Sequence, residues 1–581
     1  MKRITLLCLS IMMSMVFTSS TLAQDLLYEV PLSEQVEVSS QIVEGKVISK
    51  NSFWDVNQQQ IYTVNTVEVY KVFKGEALST IEVVTLGGRV GDVGLMVTPS
   101  LVLQKDDVGL FLLQDSDVEL TSSSVVPRYK SNSSVQGFFK YNIYDNLATS
   151  PFSIKNGITS ELYNDITELT NSTYTSVSSF NIDNQIDFLN AQRAAGGIAI
   201  NSFSPTTISG GTKSILTIEG AGFGTTPGAV LFRDANDGGA SLYPALDSQI
   251  ISWTNTQIQV EVPSRAGTGT IRVVDPIGFN VTSSTPLTIA FSEINYSDGV
   301  NAFQTQHIDQ NSNGGYTWSM HIEFNNNSAA AAAFNRAFDT WVCETGVNWD
   351  IGGITATDTV ASDGINVIRF DNGSELASGT LGVCSSWIAF CGSAAFIGEL
   401  DIVFNDTTNW QYGPSAPSAA QIDFESVAVH ELGHGHQMAH VIDTNAIMHY
   451  SIGNGISNRV LSANDIAGGN DVQSRSTTTA VCGQGLMTNS ECSLSVDEHF
   501  LSENISIFPN PANDKINIKN ASSINLQKAV IYDVRGSVVS SIDFNQSSSL
   551  KTINVSSLTS GVYFINIYSD RGSVIEKFMV E

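Results

Sequence analysis

Five of the eight histidines lie between His430 and His449, and four of them fall within the stretch HELGHGHQMAH. This cluster constrains the fold more than any other feature, because neighbouring imidazoles can act together only if secondary structure holds them in fixed positions. His430 and His434 stand four residues apart, so on a helix their rings project from one face. The segment FESVAVHELGHG predicts such a helix, which ends at glycine.

Two imidazoles on one helix face can hold a zinc ion, but a catalytic zinc site takes three protein ligands and keeps one position open. The third ligand is either a glutamate from a later helix or a further histidine. No glutamate occurs between His434 and Glu491, whereas His440 follows the second histidine by six residues. Glu431 is placed to act as general base towards a water molecule that zinc activates.

These residues resemble the metzincin motif HExxHxxGxxH, and Met448 in NAIMHY resembles the Met-turn of that clan. The phrases AFNRAFDTW, DIVFN, IDFESVAVHELGH, HVIDTNAIM and RVLSANDIAGG resemble the matrixin branch, over about residues 315–472. The resemblance implies a zinc metalloendopeptidase. It makes His430, His434 and His440 the zinc ligands, Glu431 the catalytic base and Met448 the Met-turn residue.

The chain departs from the metzincin motif at Gln437, where the family has a glycine. That glycine commonly adopts a left-handed conformation, which costs energy for a residue with a Cβ atom. Either Gly435 ends the helix earlier or Gln437 accepts the strain. Tyr450 follows Met448 by two residues. In the astacin and serralysin branches a tyrosine at this place can ligate zinc or stabilise the oxyanion, so the resemblance implies an auxiliary role for Tyr450. The cysteine-switch phrase of matrixin propeptides is absent.

Five cysteines remain after the N-terminal segment, and an exported protein can keep disulfides. Short separations favour the pairs Cys384–Cys391 and Cys482–Cys492, which would leave Cys343 unpaired in the core of a helix. The sequence alone does not fix this connectivity.

Residues 1–23 are typical of a signal peptide: Lys2 and Arg3 precede an apolar run, and Thr21-Leu22-Ala23 resembles a cleavage site. The mature chain is expected to begin near Gln24, to leave the cytoplasm and to contain no transmembrane span. The net charge of −29 argues against a nucleic-acid partner, since phosphate binding needs a basic face.

Four folded regions follow the signal peptide. Residues 24–195 are β-rich, with an alternating strand from Ile61 to Gly75, and are expected to form a barrel or sandwich. In one interpretation this domain is an inhibitory pro-region. Residues 194–205 are interpreted as a linker. Residues 203–292, with SGGTKSILTIEGAGFG, resemble an IPT/TIG domain, which implies a spacer or binding module. Residues 293–480 hold the zinc motif and an amphipathic helix, Ser328 to Gly346.

Residues 503–581 alternate like strands, and the phrases IFPNPANDKINIKN and GVYFINIYSDRGSVIEKFMVE resemble the sorting domain of the type IX secretion system. The resemblance implies the type IX secretion machinery as a partner and a secreted or cell-surface location. The expected fold class is therefore multidomain: an α+β metzincin-like catalytic domain, with a twisted sheet and a zinc helix, flanked by all-β domains.

The leading functional prediction is a secreted zinc-dependent endopeptidase that hydrolyses proteins, with one catalytic Zn²⁺. Family likeness also suggests structural Ca²⁺. An extended peptide substrate is expected to pair with the DIVFN strand, taken as the edge of the sheet beside the zinc helix. The alternative function is a surface adhesin or binding protein with a degenerate zinc domain, and Gln437 is the feature that favours it.

Overall fold

The computed structural model describes residues 27–195, 197–373, 375–490, 504–520, 526–534, 538–544, 550–569 and 572–581. The chain divides into two compact units, Met1–Ser490 and Glu491–Glu581. The predicted signal peptide, residues 1–23, lies outside the described residues and stays a prediction. In the part of the chain that is described, no helix combines the length and the hydropathy needed to span a membrane.

The N-terminal domain is built around a closed barrel, in which β1, β2, β3, β7 and β6 follow one another and β6 pairs back with β1. The predicted strand from Ile61 is β2. The domain is rich in strands, as predicted, and three helices accompany them. The elements are α1 (Leu32–Val38), β1 (Gln41–Trp54), β2 (Ile61–Lys74), β3 (Thr80–Leu86), β4 (Gly88–Val90), β5 (Val93–Thr98), β6 (Val108–Asp115), β7 (Arg128–Ser131), β8 (Phe138–Asn142), β9 (Leu147–Ser150), β10 (Ser153–Lys155), α2 (Tyr163–Thr170), β11 (Thr175–Ser176) and α3 (Ile182–Ala195).

A sandwich follows the barrel, with one sheet in the order β12-β14-β18-β17 and another in the order β16-β15-β19-β20. Leu216, Phe232 and Val260 are among the side chains buried between them. The predicted linker is wrong in its second half, because Ala199–Ser204 is a strand of the first sheet. The strands are β12 (Ala199–Ser204), β13 (Thr207–Gly210), β14 (Ile215–Ala221), β15 (Ala229–Asp234), β16 (Leu242–Pro244), β17 (Ile250–Trp253), β18 (Gln257–Glu261), β19 (Ala266–Val274), β20 (Asn280–Thr282) and β21 (Thr288–Ser292).

The described residues of the region that holds the histidine cluster combine a mixed sheet, two two-stranded sheets and four helices. Its elements are β22 (Asn295–Ser297), β23 (Ala302–Gln304), β24 (Tyr316–Met320), α4 (Ile322–Asn326), α5 (Ser328–Thr345), β25 (Trp349–Ile351), β26 (Asn366–Phe370), β27 (Gly382–Cys391), β28 (Ala394–Phe404), β29 (Trp410–Gln411), β30 (Ile422–Asp423), α6 (Phe424–Gly435) and α7 (Ala463–Thr478).

The sheet of this region has the order β25-β24-β26-β28-β27-β5-β4. Strands β25, β24, β26 and β28 are parallel, and β27 runs antiparallel to β28. The first four residues of the DIVFN phrase end β28, which is paired with β26 on one side and β27 on the other, so the prediction that it forms the edge is wrong. Strand β27 would be the edge of this region, but the hairpin β4–β5 leaves the N-terminal barrel and adds two strands beyond it.

Helix α5 is the predicted amphipathic helix. Asn327 caps its first turn by accepting from Ala330 N, and Gly346 ends it in a left-handed conformation. Phe334, Phe338 and Trp341 recur on one face and are buried in the core that α5 shares with α6. Trp341 Nε1 also donates to Val429 O at 2.7 Å, which ties α5 to the helix that carries the histidines.

The C-terminal unit is a separate sandwich of two antiparallel sheets, ordered β31-β32-β35 and β34-β33-β36-β37. Ile516, Ile531 and Ile565 lie in its buried core. The strands are β31 (Ile505–Phe508), β32 (Lys515–Asn520), β33 (Leu526–Asp533), β34 (Val538–Asp543), β35 (Leu550–Asn554), β36 (Gly561–Ser569) and β37 (Gly572–Val580).

Candidate metal centre

Helix α6 places the first two histidines of the cluster. Asp423 caps the helix by accepting from Ser426 N, and every residue of α6 is buried. The four-residue spacing brings His430 Nε2 within 2.9 Å of His434 Nε2. The predicted helix and its glycine end are therefore confirmed.

The third histidine reaches the same point from beyond the helix. His440 Nε2 lies 3.3 Å from His430 Nε2 and 3.1 Å from His434 Nε2. In tetrahedral zinc coordination with bonds of about 2.0–2.1 Å, two ligand nitrogens are about 3.3 Å apart. Among the described residues, these three are the group of histidine, cysteine and acidic side chains placed closely enough to hold a metal ion.

The opposite ring nitrogens decide which tautomer each histidine has. His430 Nδ1 donates to Ile447 O at 2.7 Å, and His434 Nδ1 donates to Met438 O at 2.8 Å. His440 Nδ1 donates to the side-chain oxygen of Asn236 at 3.0 Å. Each Nδ1 thus carries a proton, and the three Nε2 lone pairs point at one another. Such an arrangement is repulsive on its own and fits a shared cation.

Burial also keeps these imidazoles neutral. It lowers the pKa of His434 to about 4 and holds the pKa values of His430 and His440 well below 6.5. The neighbouring histidines lower the pKa of His430 and of His440 further. A neutral imidazole is the form that binds a metal, so all three side chains are in the metal-binding form at neutral pH.

Glu431 has a buried carboxylate whose two oxygens both lack a hydrogen-bond partner among the described residues. Its side chain is fully buried. Burial raises the pKa of Glu431 well above its usual value. The side chain lies against Gly382 at the start of β27, where a Cβ atom would come within 3.2 Å of Glu431 Oε1. A buried, unpaired carboxylate beside three converging nitrogens fits a site that receives a metal ion and a reactant.

Met448 packs against α6, the helix that carries His430 and His434. It is 1% exposed, and a Cβ atom at Gly433 would overlap its sulfur. The carboxylate of Asp465 accepts from Ile447 N at 2.9 Å and from Met448 N at 3.3 Å. Because Ile447 O holds His430, Asp465 supports that histidine through one peptide unit. The sequence signal for Asp465 is the capping box that it forms with Ser462 at the start of α7.

Gln437 keeps the turn that a glycine makes in the related motif. Its φ is 65°, and α6 ends just before it at Gly435, so both of the alternatives drawn from the sequence contribute. The buried side chain accepts from Thr305 Oγ1 at 2.7 Å and donates to Ser386 Oγ at 3.3 Å. These bonds hold the residue in a conformation that a side chain disfavours.

Two histidines of the cluster have other surroundings. His436 points into the core, where its ring stacks on His307 with the two nearest nitrogens 3.2 Å apart. Burial lowers the pKa of His436 to about 3. His449 Nδ1 lies 2.9 Å from Ser451 O and 3.2 Å from Ser451 N, so this ring is bonded to nearby backbone. Neither joins the three converging nitrogens.

A cavity of about 700 Å³ adjoins His440 and Tyr450. Its walls come from the barrel, the sandwich and the histidine-bearing region, and include Leu27, Thr98 and Asn236. Tyr450 packs against the sandwich, since a Cβ atom at Gly238 would lie 2.5 Å from its hydroxyl oxygen. The participation of the sandwich is a feature that sequence reasoning missed.

The predicted disulfides are wrong. Cys391 is bonded to Cys482, and Cys384 is free and buried. Cys384 and Cys391 occupy the same strand, β27, where seven residues at about 3.3 Å each separate them far beyond disulfide range. Cys343 is disulfide-bonded rather than an unpaired core residue. Cys492 lies outside the described residues.

Comparisons with known proteins agree with this geometry. A family model described as Matrixin matches residues 310–472. The chain contains a matrixin domain. A second model, described as Secretion system C-terminal sorting domain, matches residues 506–581. The matrixin domain supports a metallopeptidase, and the sorting domain indicates a secreted or cell-surface location. No curated protein matches the chain.

Solved structures share only small similarities with the matrixin-containing chain. An immunoglobulin-like β-sandwich protein of the DUF3244 family from Bacteroides vulgatus is 25% identical, with a TM-score of 0.12, over 13% of this chain and 85% of that one. A superoxide reductase from Ignicoccus hospitalis is 13% identical, with a TM-score of 0.12, over 14% and 86%. The BSP domain of a biofilm-associated protein is 8% identical, with a TM-score of 0.17, over 93% and 81%.

Proposed function

We propose that this chain is an exported zinc-dependent endopeptidase whose ligands are His430, His434 and His440 and whose general base is Glu431. The observation that carries the proposal is the convergence of three Nε2 atoms, at 2.9–3.3 Å from one another, beside a buried carboxylate without a hydrogen-bond partner. These three histidines would hold a zinc ion, which would supply polarisation of a substrate carbonyl and a water of lowered pKa.

The protein groups then have distinct tasks. Glu431 accepts the proton of the attacking water and delivers it to the nitrogen of the leaving amine. Its buried position suits this exchange, because burial stabilises the protonated form that exists between the two transfers. Asn236 and the carbonyl groups of Met438 and Ile447 keep the three imidazoles in the tautomer that presents Nε2.

Tyr450 is proposed as an auxiliary residue. It lines the same cavity as His440, in which we expect the substrate carbonyl to lie. A tyrosine there can donate a hydrogen bond to the oxygen that gains charge during attack. Tyr450→Phe is expected to lower kcat with little change in zinc content.

The alternative function, a surface adhesin with a degenerate zinc domain, is favoured in the sequence by Gln437 alone, and the conformation of Gln437 supports the peptidase proposal instead. Gln437 departs from the motif in sequence, yet its φ of 65° lies in the left-handed region that glycine favours. The IPT/TIG resemblance of residues 203–292 and the pro-region interpretation of residues 24–195 stay compatible with an endopeptidase. In that case the sandwich serves as a spacer that also contributes Asn236.

The experiment uses the mature full-length chain. Metal analysis is expected to find about one zinc per chain, and cleavage of an unfolded protein is expected to stop when a chelator is added. Glu431→Ala should keep the zinc and lose proteolysis, whereas His434→Ala should lose both. Full proteolysis by the Glu431→Ala chain would contradict the proposal.

A further inference from the structure

Basic side chains predominate among the charged residues that line the cavity beside His440. Lys50, Arg89 and Arg265 contribute to its walls, whereas Asp298 is the one acidic residue among the described residues that line it. The chain as a whole has 57 acidic and 28 basic residues, so this excess of positive charge runs against its composition. A cavity whose walls carry one sign of charge concentrates ligands of the opposite sign.

Lys50 brings an unpaired positive charge to this cavity. It is half-buried on β1, and no carboxylate of the described residues forms an ion pair with it. Burial lowers the pKa of Lys50, an effect that the charge of Asp107 reduces and that of Arg265 enhances. Asp107 itself pairs with Lys140 at 3.0 Å and accepts from Gln104 N at 2.8 Å. A half-buried ammonium group without a counter-ion is unfavourable, and the carboxylate of a ligand would relieve it.

Arg265 lies close to the third proposed zinc ligand. Its Nε and Nη2 atoms donate to the carboxylate of Asp234 at 3.2 Å and 2.5 Å. Asp234 Oδ1 also accepts from Asn236 N at 3.1 Å, and the side chain of Asn236 holds His440. A guanidinium group has five N–H groups, and Asp234 takes two of them. Arg265 therefore keeps donors for a further acceptor within a few residues of the metal centre.

The remaining charged groups of the cavity do not cancel this potential. Asp298 is exposed to solvent, and its Oδ1 atom accepts from Val300 N at 2.8 Å and from Asn301 N at 2.7 Å. Arg89 lies 3.8 Å from a carboxylate oxygen of Asp92, whose side chain is 85% exposed. An ion pair of this kind is weak in water. The positive charges of Lys50 and Arg89 are thus available to a ligand.

Two polar atoms of the cavity wall lack a partner. Ser100 Oγ and Asn295 Oδ1 are buried and have no hydrogen-bond partner among the described residues. Buried polar atoms are normally hydrogen-bonded, so this pair indicates a polar ligand or ordered water in the cavity. A hydroxyl group can donate to a carboxylate, and an amide oxygen can accept from a peptide N–H group. A peptide that carries an acidic side chain offers both.

We infer that this cavity is a substrate subsite for the acidic side chain of a peptide, aspartate or glutamate, and that Lys50 and Arg265 select for it. The inference rests on the proposed peptidase function and names its substrate class. The cavity volume of about 700 Å³ lies in the range of sites that hold small ligands or a few residues of a peptide. Because His440 and Tyr450 line the same cavity, a peptide held there lies beside the proposed metal centre.

Substitutions of Lys50 test the subsite without a change at the metal centre. Lys50→Met removes the charge and keeps an unbranched apolar side chain, and Lys50→Glu reverses the charge. Lys528→Glu is the control, because it makes the same change of net charge at an exposed lysine of the C-terminal unit. Arg265 is left unchanged, since it also holds Asp234.

The substrates are two short fluorogenic peptides, one of alternating alanine and glutamate and one of alternating alanine and glutamine. The native chain is expected to cleave the glutamate peptide with a KM about tenfold lower and a similar kcat, because an ion pair at a subsite discriminates mainly through binding. Lys50→Met should bring the two KM values together, and Lys50→Glu should reverse their order. Lys528→Glu should behave as the native chain does.

Binding of the same peptides to chains that also carry Glu431→Ala, measured by fluorescence anisotropy, separates the subsite from the proposed function. If no chain cleaves either peptide, but the glutamate peptide binds more tightly and Lys50→Glu abolishes this preference, the peptidase proposal fails and the subsite stands. Equal affinities for the two peptides, or a preference that survives both Lys50 substitutions, would overturn the subsite. Should Lys50→Glu fail to fold, Lys50→Met decides alone.

Discussion

The side-chain oxygen of Asn236 accepts a hydrogen bond of 3.0 Å from His440 Nδ1, although 204 residues separate the two in sequence. Asn236 belongs to a short helical turn, Ala235–Asp237, at the end of strand β15 in the sandwich. The sandwich therefore completes the surroundings of the third proposed ligand. A partner of this kind fixes the ring orientation and the tautomer of a metal-binding histidine.

Replacing Asn236 by alanine is expected to weaken zinc binding by about tenfold to a hundredfold, the usual effect of losing such a partner. Asn236→Asp keeps an acceptor at the same place and should retain most of the affinity. Competition with a chromophoric chelator measures the change. Asn255→Ala, at an exposed asparagine of the same sandwich, is the control, and equal affinities for Asn236→Ala and Asn255→Ala would refute the role.

Gln437 allows backbone strain and side-chain bonding to be separated. Gln437→Ala loses the bonds to Thr305 and Ser386 and keeps a Cβ atom at φ 65°, while Gln437→Gly loses the same bonds and relieves the strain. Both should unfold more readily than the native chain, and the alanine variant should be less stable than the glycine variant by about 1 kcal/mol. Urea unfolding gives the order, and a more stable alanine variant would contradict it.

Asp465 is expected to control the metal site from a distance. Asp465→Asn keeps the size of the side chain but replaces one of the two oxygens that accept from Ile447 N and Met448 N. Loss of a bond to a buried carboxylate costs about 1.5–3 kcal/mol, so the unfolding free energy should fall by this amount. Zinc should also dissociate faster, because Ile447 O positions His430. Native dissociation rates in the variant would show that the segment Ile447-Met448 needs no such support.

The buried pair of His307 and His436 predicts acid sensitivity. Burial, followed by the proximity of His436 and Arg475, lowers the pKa of His307 well below 6.5. Below pH 6.5 the unfolded chain binds a proton that the folded chain excludes, so stability falls as the pH falls. The slope is about 1.4 kcal/mol per pH unit for each such histidine.

His307→Gln removes one titrating group and retains hydrogen-bonding capacity. Its unfolding free energy should depend less steeply on pH between 6 and 4.5, by up to about 1.4 kcal/mol per unit. Urea unfolding followed by tryptophan fluorescence at several pH values measures both slopes. Parallel curves for the native and variant chains would mean that His307 accepts a proton while folded.

Local features were predictable from the sequence. Helix α6, its end at Gly435 and the grouping of His430, His434 and His440 depend on a stretch of seventeen residues, from Phe424 to His440, and helical geometry fixes the spacing of the first two histidines. The strand Ile61–Lys74 and the helix α5 likewise follow from alternation and from helical periodicity. The sorting domain was identifiable because its strand phrases are contiguous.

Long-range features were not predictable in the same way. The Cys391–Cys482 bond spans 91 residues, and the shorter pairing was ruled out only once Cys384 and Cys391 were found on one strand. The DIVFN phrase has the apolar composition of any buried strand. This composition does not reveal whether other strands pair with it on one side or on both sides. Nothing near Asn236 or β5 in sequence marks them as partners of a region some 200–300 residues later.

The pairing of β5 with β27 also has a consequence for how the chain is made. Strand β5 is synthesised almost 300 residues before its partner, so Leu95 and Val97 have no cover while the later domains are still emerging. During refolding at high concentration, β5 of one molecule can meet β27 of another and form the same hydrogen bonds, giving an exchanged dimer. Molecules that are exported one at a time meet few partners, and dilution should therefore favour the closed monomer over the exchanged pair.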